Sequence, residues 1–172
     1  MSLLEPDQSL SHTEEAEPSA PTAFDSTNAV PPTRPGPIMG TRHTKHRLQT
    51  AREALYDITN DVMASAEASG VRDGICVVYC PHTSAGITIN ENADPAVRHD
   101  LLLGLEAALP DQGAFRHGEG NSSAHLKASA VGSSVTVILE DGRLVLGRWQ
   151  GIYFCEFDGP RNREFIVKVL AG

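Results

Sequence analysis

The run Gly74-Ile75-Cys76-Val77-Val78-Tyr79-Cys80 constrains the fold most, because it is apolar and rich in β-branched side chains from end to end. Such a run is typical of a strand that is covered on both faces, so it predicts a strand inside a sheet. Pro81-His82-Thr83-Ser84 follow it directly. An imidazole and two hydroxyls are therefore expected at the end of a buried strand, where α/β folds commonly display functional groups.

Two segments have apolar side chains at helical spacing, together with residues that begin and end helices. Asp57 or Thr59 caps the first predicted helix and Gly70 ends it, whereas Asp94 and Pro95 begin the second. The predicted buried positions of the first helix are Leu55, Ile58, Val62, Met63 and Ala66. Those of the second are Val97, Leu101, Leu102, Leu105 and Leu109.

Strands are predicted in much of the remaining chain. A weak pattern indicates an opening strand at residues 43–50, and a short helix is expected from Ser123 to Ala130. The other expected strands are residues 87–90, 134–140, 144–146, 151–157 and 165–170. Asp141-Gly142 is a hairpin signal between two of them. Helices mostly in the first half and strands in the second predict an α+β fold with a large sheet.

Residues 1–40 have a composition that does not suit a packed core. Seven of the eleven prolines lie there, and six acids with one arginine give a net charge of −5. We expect this segment to be a disordered acidic tail, and residues 41–172 to form a single domain. The tail leaves −3 of the total charge of −8 for the domain. Without a basic excess, no nucleic-acid partner is expected.

Hydropathy and cysteine usage favour a cytoplasmic protein. The sequence has no run of about 18 apolar residues, so no membrane contact is expected. Its N-terminus lacks the basic and then apolar segments of a secretion signal. Cys76 and Cys80 lie four residues apart on a predicted strand, about 13 Å, which is too far for a disulfide. We expect all three cysteines to be reduced, buried thiols.

Two polar clusters, separated by the second predicted helix, form the candidate site. The first consists of His82, Thr83, Ser84, Asn90 and Glu91. The second consists of His117, Glu119, Asn121 and His125, with two glycines between them. Imidazoles with a carboxylate suit zinc and similar cations, so His82, His117 and His125 are candidate metal ligands. A glycine-containing loop can instead hold a phosphate through backbone N–H groups, and a polar surface loop without function is the third interpretation.

Some of the polar residues near these clusters have a structural explanation, and others do not. Asp94 is explained as a helix cap, whereas Glu91 has no such explanation, so we favour function for Glu91. Trp149 is the only tryptophan and is expected in a core or an interface. Gln150, between a tryptophan and a glycine, could approach a ligand. The arginines at 148, 161 and 163 could meet anionic oxygen atoms.

In order and spacing, these residues resemble the YjbQ family of small bacterial and archaeal proteins from about residue 42 to the end. The motifs that carry the resemblance are His82-Thr83-Ser84-Ala85, Asn90-Glu91-Asn92, Asp94-Pro95, Val97-Arg98-His99-Asp100, His117 with Glu119-Gly120, Ala124-His125-Leu126-Lys127, Gly142-Arg143 and Gly147-Arg148-Trp149-Gln150-Gly151-Ile152. Arg148 departs from the pattern, because the family usually has a small residue there, often threonine.

The resemblance implies an α+β fold with a large mixed or antiparallel sheet, and a homotrimer with a polar pocket near its subunit contacts. It also implies a secondary thiamine-phosphate synthase activity, which joins a pyrimidine diphosphate to a thiazole phosphate. The implied catalytic residues are His82, Glu91, His117 and His125, with zinc or magnesium on the three histidines. The implied substrate-binding residues are Thr83, Ser84, Asn90, Glu119, Asn121, Lys127, Trp149 and Gln150.

Two functions of different class follow from this resemblance. One is a metal-assisted enzyme acting on phosphorylated heterocycles. The other is a non-catalytic trimer that binds a metal or a small phosphorylated metabolite. The occupant of the histidine pocket distinguishes them, since an open metal position or a bound phosphate favours catalysis and a closed four-ligand metal does not.

Overall fold

The computed structural model describes residues 43–172, so the predicted tail of residues 1–40 lies outside the described residues. Eight strands and three helices follow one another within this range. They are β1 (His43–Thr50), β2 (Ala54–Asp57), α1 (Thr59–Ser69), β3 (Gly74–Tyr79), β4 (Ala85–Glu91), α2 (Pro95–Ala108), α3 (Ser122–Val131), β5 (Ser134–Glu140), β6 (Arg143–Leu144), β7 (Gln150–Glu156) and β8 (Arg161–Ala171). The predicted α+β class is confirmed.

The strands form two sheets, and every strand pair among the described residues is antiparallel. One sheet has five strands in the order β1-β8-β3-β5-β6, and the other has three in the order β2-β7-β4. In the first, Val78 of β3 lies opposite Val135 on one side and Val167 on the other. In the second, Phe154 of β7 lies opposite Tyr56 and Ile87.

Two apolar cores cover the faces of these sheets. The larger core joins both sheets to α1, and its members include Ile58, Val62, Val78, Ile87, Phe154, Phe165 and Val167. The smaller core packs the other face of the three-stranded sheet against α2 and α3, and it contains Leu55, Ala124, Ala128, Tyr153, Cys155 and Phe157. Because β7 contributes to both cores, residues 151–156 are buried on both faces.

Polar residues and glycines set the helix ends largely where the sequence predicts them. The Asp94 carboxylate accepts a hydrogen bond from the Ala96 N–H at 2.8 Å, which confirms it as the cap of α2. Gly70 ends α1 in the left-handed conformation, with φ of 70°. Helix α3 begins at Ser122, one residue before the predicted start, with Asn121 at the cap position. The Asp111 carboxylate accepts a hydrogen bond from the Ser123 N–H at 3.0 Å.

Two residues that were predicted to lie on the buried side of the first helix do not lie there. Leu55 belongs to β2, where it lies opposite Cys155 of β7, and the helix begins only at Thr59. The cap position is Ile58, which has no capping side chain, so neither Asp57 nor Thr59 is the cap. The Asp57 carboxylate nevertheless accepts a hydrogen bond from the Thr59 N–H at 2.9 Å, next to the helix start. Met63 is 42% exposed and lies outside the buried stripe.

The strand predicted to be covered on both faces is covered on one. Cys76 and Val78 of β3 are buried, whereas Ile75 and Tyr79 are more than a third exposed. Ile138 of β5 lies directly opposite Ile75 and is 62% exposed. We call this exposed apolar surface, formed by Ile75, Tyr79 and Ile138, the outer face of the five-stranded sheet.

All three cysteines lie within the described residues. Cys76, Cys80 and Cys155 are free and buried, as expected. Burial raises the pKa of Cys76 to about 11 and that of Cys155 to about 12, so these thiols are protonated and unreactive. None of the helices between residues 43 and 172 has the length and apolar character that a bilayer crossing requires.

Candidate functional site

The loop from Cys80 to Ser84, which we call the 80–84 loop, joins β3 to β4 and displays the first predicted cluster. The Cys80 N–H donates to the Ser133 carbonyl oxygen at 2.8 Å. Next to the loop, a Cβ on Gly86 would come within 2.6 Å of the Gly132 carbonyl oxygen, so this close approach requires glycine. The loop is therefore held against the segment that connects α3 to β5.

His82 is tied to the neighbouring strand β8 by its ring. Its Nε2 accepts a hydrogen bond from the Glu164 backbone N–H at 2.9 Å, so the neutral ring carries its proton on Nδ1. Burial lowers the pKa of His82 below its usual value, and the positive charge of Arg163 lowers it further. One imidazole nitrogen is thus committed to a structural contact.

The lowered pKa of His82 predicts that the fold loses stability as the pH falls. A ring that resists protonation in the folded state binds more protons when unfolded, so stability is complete above the unfolded pKa of about 6.5 and declines below it. His82→Gln cannot titrate. We therefore expect the melting temperature of the parent to exceed that of the variant by more at about pH 7.5 than at about pH 5.5. An equal gap at both pH values would contradict this assignment.

His117 and His125 are brought together, as the sequence suggests. Their ring centroids lie 5.1 Å apart, with the planes nearly perpendicular. His125 Nδ1 lies 3.0 Å from the Thr83 carbonyl oxygen, and since a carbonyl only accepts, this nitrogen carries a proton. His125 Nε2 is then the ring nitrogen left for a ligand.

Three neighbouring clefts meet at these histidines. The histidine cleft, of about 580 Å³, lies between the 80–84 loop, α3 and Ser133, and both His82 and His125 line it. The apolar cleft, of about 500 Å³, shares His125 and contains Phe115, His117 and Leu126. The arginine cleft, of about 610 Å³, shares His82 and is also lined by Arg47, Leu48, Gln49, Asn162, Arg163 and Glu164.

The ligand set of one chain does not fit the metal that the resemblance implies. A zinc site needs three or four protein ligands. Within residues 43–172, no group of three or more His, Cys, Asp or Glu side chains is placed to hold a metal ion. His117 and His125 supply two imidazoles, while Nε2 of His82 accepts from a backbone N–H.

Glu91 and Asn90 lie away from the three histidines. They are at the far end of β4 from the 80–84 loop, and Glu91 is about 20 Å from Ala85 along the strand. The expectation that Glu91 lies near the histidines is therefore wrong within one chain, because the strand continues longer than predicted. The Asn90 side-chain oxygen accepts from the Glu91 N–H at 2.7 Å, which is a local contact.

Of the other residues predicted to bind substrate, two contribute to structure instead. Ser84 is buried, and its hydroxyl accepts from Arg163 Nη2 at 2.9 Å. Lys127 is also buried, and its ammonium group pairs with Glu106 and, at 3.6 Å, with Glu53. Thr83 is exposed and lines the histidine cleft beside His125.

The remaining predicted residues lie outside the histidine cleft. Gln150 closes a turn, because its side-chain oxygen accepts from the Gly147 N–H at 2.7 Å. Trp149 is exposed rather than in the core. The Asn121 amide donates to the Asp158 carboxylate at 2.9 Å, and Glu119 is exposed in the loop before α3.

Sequence comparison decides the family. Residues 44–172 match the family described as UPF0047 protein YjbQ-like. The chain is 54% identical over 127 residues to a UPF0047 protein of Methanocaldococcus jannaschii, covering 73% of this chain and 92% of that protein. It is 52% identical over 122 residues to YugU of Bacillus subtilis, covering 70% and 92%. The chain belongs to the YjbQ family.

Solved YjbQ structures have the same fold. The crystal structure of a YjbQ/UPF0047 protein from Clostridium acetobutylicum is 54% identical, with a TM-score of 0.72 over 74% of this chain and 99% of that one. One from Sulfolobus solfataricus is 32% identical, with a TM-score of 0.74 over 77% and 98%. The first is described as uncharacterized and the second as of unknown function, so membership fixes the fold and no activity.

The Arg148 side chain stacks on its neighbour Trp149. Its guanidinium carbon lies 5.0 Å from the centre of the Trp149 ring. Trp149 is 57% exposed, so this cation–π contact lies on the surface and contributes about 0.5–1 kcal/mol.

The sequence did not single out Glu156, although its carboxylate is fully buried. Glu156 has no exposed surface, and Arg163 binds both of its carboxylate oxygens, at 2.7 and 2.6 Å. The available signal was an acid at the end of the otherwise apolar run of β7. An acid within a strand that is buried on both faces requires a cationic partner.

Proposed function

We propose that the histidine cleft binds a small phosphorylated metabolite and that the chain acts primarily as a binding protein. The observation that supports this best is the contact between His125 Nδ1 and the Thr83 carbonyl oxygen, 3.0 Å long. It fixes the ring through one nitrogen and leaves Nε2 for a ligand. When the ring is protonated, Nε2–H is a charged donor, and such donors bind phosphate oxygens strongly.

The surroundings of His125 suit a ligand with an anionic end and an apolar body. Thr83 and Ser133 add exposed hydroxyls to the histidine cleft. The adjoining apolar cleft offers Phe115, Leu126 and the His117 ring. A phosphate in the first cleft would place the remainder of the metabolite against the second. A phosphorylated heterocycle has both parts, an anionic phosphate and a ring that can pack against apolar side chains.

Thiamine-phosphate synthase activity is the second candidate, and the arginine cleft is the observation that favours it. His82 lies between the arginine and histidine clefts, so two phosphorylated substrates could meet at this residue. Negative charge develops on diphosphate as it leaves, and donors that are already oriented stabilise it. The assay is formation of thiamine phosphate from the two precursors by the purified protein.

Binding of phosphate is expected to strengthen as the pH falls from about 8 to about 5.5. Imidazoles gain positive charge over this range, which favours an anion and opposes a metal. Calorimetry with a thiazole phosphate and with inorganic diphosphate measures the trend. His117→Ala and His125→Ala should each weaken binding about 10-fold or more, the loss expected for a charged hydrogen bond.

The matched control is His99→Ala, on the exposed surface of α2 beside Asp100. It should bind like the parent. Metal analysis of the same samples tests the competing occupant. Stoichiometric zinc that is lost at low pH and in both variants, with no anion binding, would replace this proposal by a metal site.

We also propose that the chain is a homotrimer. The support is the family resemblance together with the exposed apolar outer face of the five-stranded sheet. Surfaces of this kind commonly mark subunit contacts. Light scattering should give about three times the chain mass of 18.4 kDa.

A further inference from the structure

The buried ion pair between Glu156 and Arg163 connects directly to the 80–84 loop. Arg163 Nε donates to one Glu156 oxygen at 2.7 Å and Nη2 donates to the other at 2.6 Å. The same Nη2 also donates to the Ser84 hydroxyl at 2.9 Å. A rigid guanidinium fork therefore joins the end of β7 to the end of the loop.

Further hydrogen bonds fix the Glu156 carboxylate. The Thr50 hydroxyl donates to it at 3.0 Å, and the Asp158 backbone N–H donates at 2.9 Å. Burial alone would raise the pKa of Glu156, but the hydrogen bonds from Arg163 and Asp158 outweigh burial and hold it below its usual value. The hydrogen bonds that Arg163 donates to Glu156 in turn raise the pKa of Arg163, so both groups are charged.

Two adjacent residues of strand β8, Arg163 and Glu164, hold the 80–84 loop. The Arg163 side chain holds Ser84, and the Glu164 N–H holds the ring of His82 at 2.9 Å. Thr83 lies between these two anchored residues, and its carbonyl oxygen is the one that His125 contacts. The direction of the Thr83 carbonyl is thus set from both sides.

From these contacts we propose that Arg163, held by Glu156, is a positioning residue that orients Thr83 and through it His125. This inference rests on the proposed function of the histidine cleft. Arg163 itself does not contact the ligand in this account, because its side chain is 8% exposed and its charge is matched by Glu156. A buried ion pair is often no more stabilising than apolar residues, which is consistent with its having a positioning use.

Ser84→Ala tests the proposal with the smallest change, because it removes only the contact that joins Arg163 to the loop. In the ligand-free protein, nitrogen NMR of the histidine rings reports which His125 nitrogen carries the proton. We expect the parent to hold the proton on Nδ1 and Ser84→Ala to show both tautomers. Affinity for a thiazole phosphate should fall about 5-fold or more, with little change in melting temperature.

The double variant Glu156→Gln with Arg163→Met removes both charges together, so neither is left buried and unpaired. We expect it to match Ser84→Ala in tautomer and affinity. Arg161→Met is the control, since Arg161 is about half exposed and pairs with Asp158 at 2.9 Å. It should keep the parent tautomer and affinity. If the double variant does not fold, Ser84→Ala alone decides.

The two readouts separate this inference from the proposed function. A change of His125 tautomer in Ser84→Ala supports positioning even if the parent binds no phosphate ester, in which case only the proposed function fails. Retention of the Nδ1 proton in Ser84→Ala, with affinity within 2-fold of the parent, would overturn the positioning inference.

Discussion

Replacing Arg163 with alanine is expected to lower the free energy of unfolding by about 3–5 kcal/mol, the usual cost of leaving a buried charge without its partner. Glu156 has no exposed surface in the folded protein, so water cannot replace the lost guanidinium. Urea unfolding followed by circular dichroism at about pH 7 measures the difference. Circular dichroism is preferable to fluorescence because Trp149, the only tryptophan, is exposed.

The control for this prediction is Arg161→Ala. Arg161 forms a similar hydrogen-bonded pair with Asp158, at 2.9 Å, but it is about half exposed. Exposed pairs contribute about 0–1 kcal/mol, so this variant should stay close to the parent. Equal losses in the two variants would show that burial of Glu156 does not decide the stability of this region.

The second large effect is expected from Ile138→Glu, which should convert the proposed trimer to a monomer. Ile138 is the most exposed residue of the outer face and lies directly opposite Ile75 on β3. A carboxylate there would have to be buried without a partner if subunits associate through this face, at a cost of several kcal/mol. The monomer itself should remain folded, since the substituted side chain faces solvent in one chain.

Light scattering at micromolar concentration measures this change. Ile138→Thr is the matched variant, because it has a β-branched strand residue without charge and should remain a trimer. A trimeric Ile138→Glu protein would place the subunit contacts elsewhere. A monomeric parent would contradict the homotrimer altogether.

Local signals account for most of the elements that the sequence predicted correctly. Asp94 and Pro95 are adjacent and define the start of α2 without help from distant residues. Asp141 and Gly142 both have positive φ, 51° and 76°, as the two central residues of a type I′ hairpin require. Each of these features depends only on neighbours within a few residues.

The sequence was less informative where distant partners decide. Leu55 is in a strand because β7, about 100 residues later, pairs with it. Lys127 was predicted to bind substrate, but in the fold Glu106 and Glu53, both distant in sequence, neutralise its charge. Arg163 contacts both Glu156 and Ser84, and no periodic pattern in the sequence relates these three residues.

The candidate site was predictable in part. The approach of His117 to His125 follows from a glycine-containing loop that leads into α3. The position of Glu91 could not be predicted, because it depends on the length of β4. This strand has seven residues instead of the predicted four, so Glu91 and the histidines lie at its opposite ends.

NMR titration of the histidine ring signals with a thiazole phosphate, at about pH 6.5, decides whether the histidine cleft is a phosphate site. His43, His46 and His99 lie outside the three clefts and act as internal controls. If phosphate binds in the histidine cleft, we expect saturable shifts of His125 and His117, a smaller shift of His82, and none for the controls. Saturable shifts confined to the control histidines, or no shift at any ring, would contradict the assignment of a phosphate site to the histidine cleft.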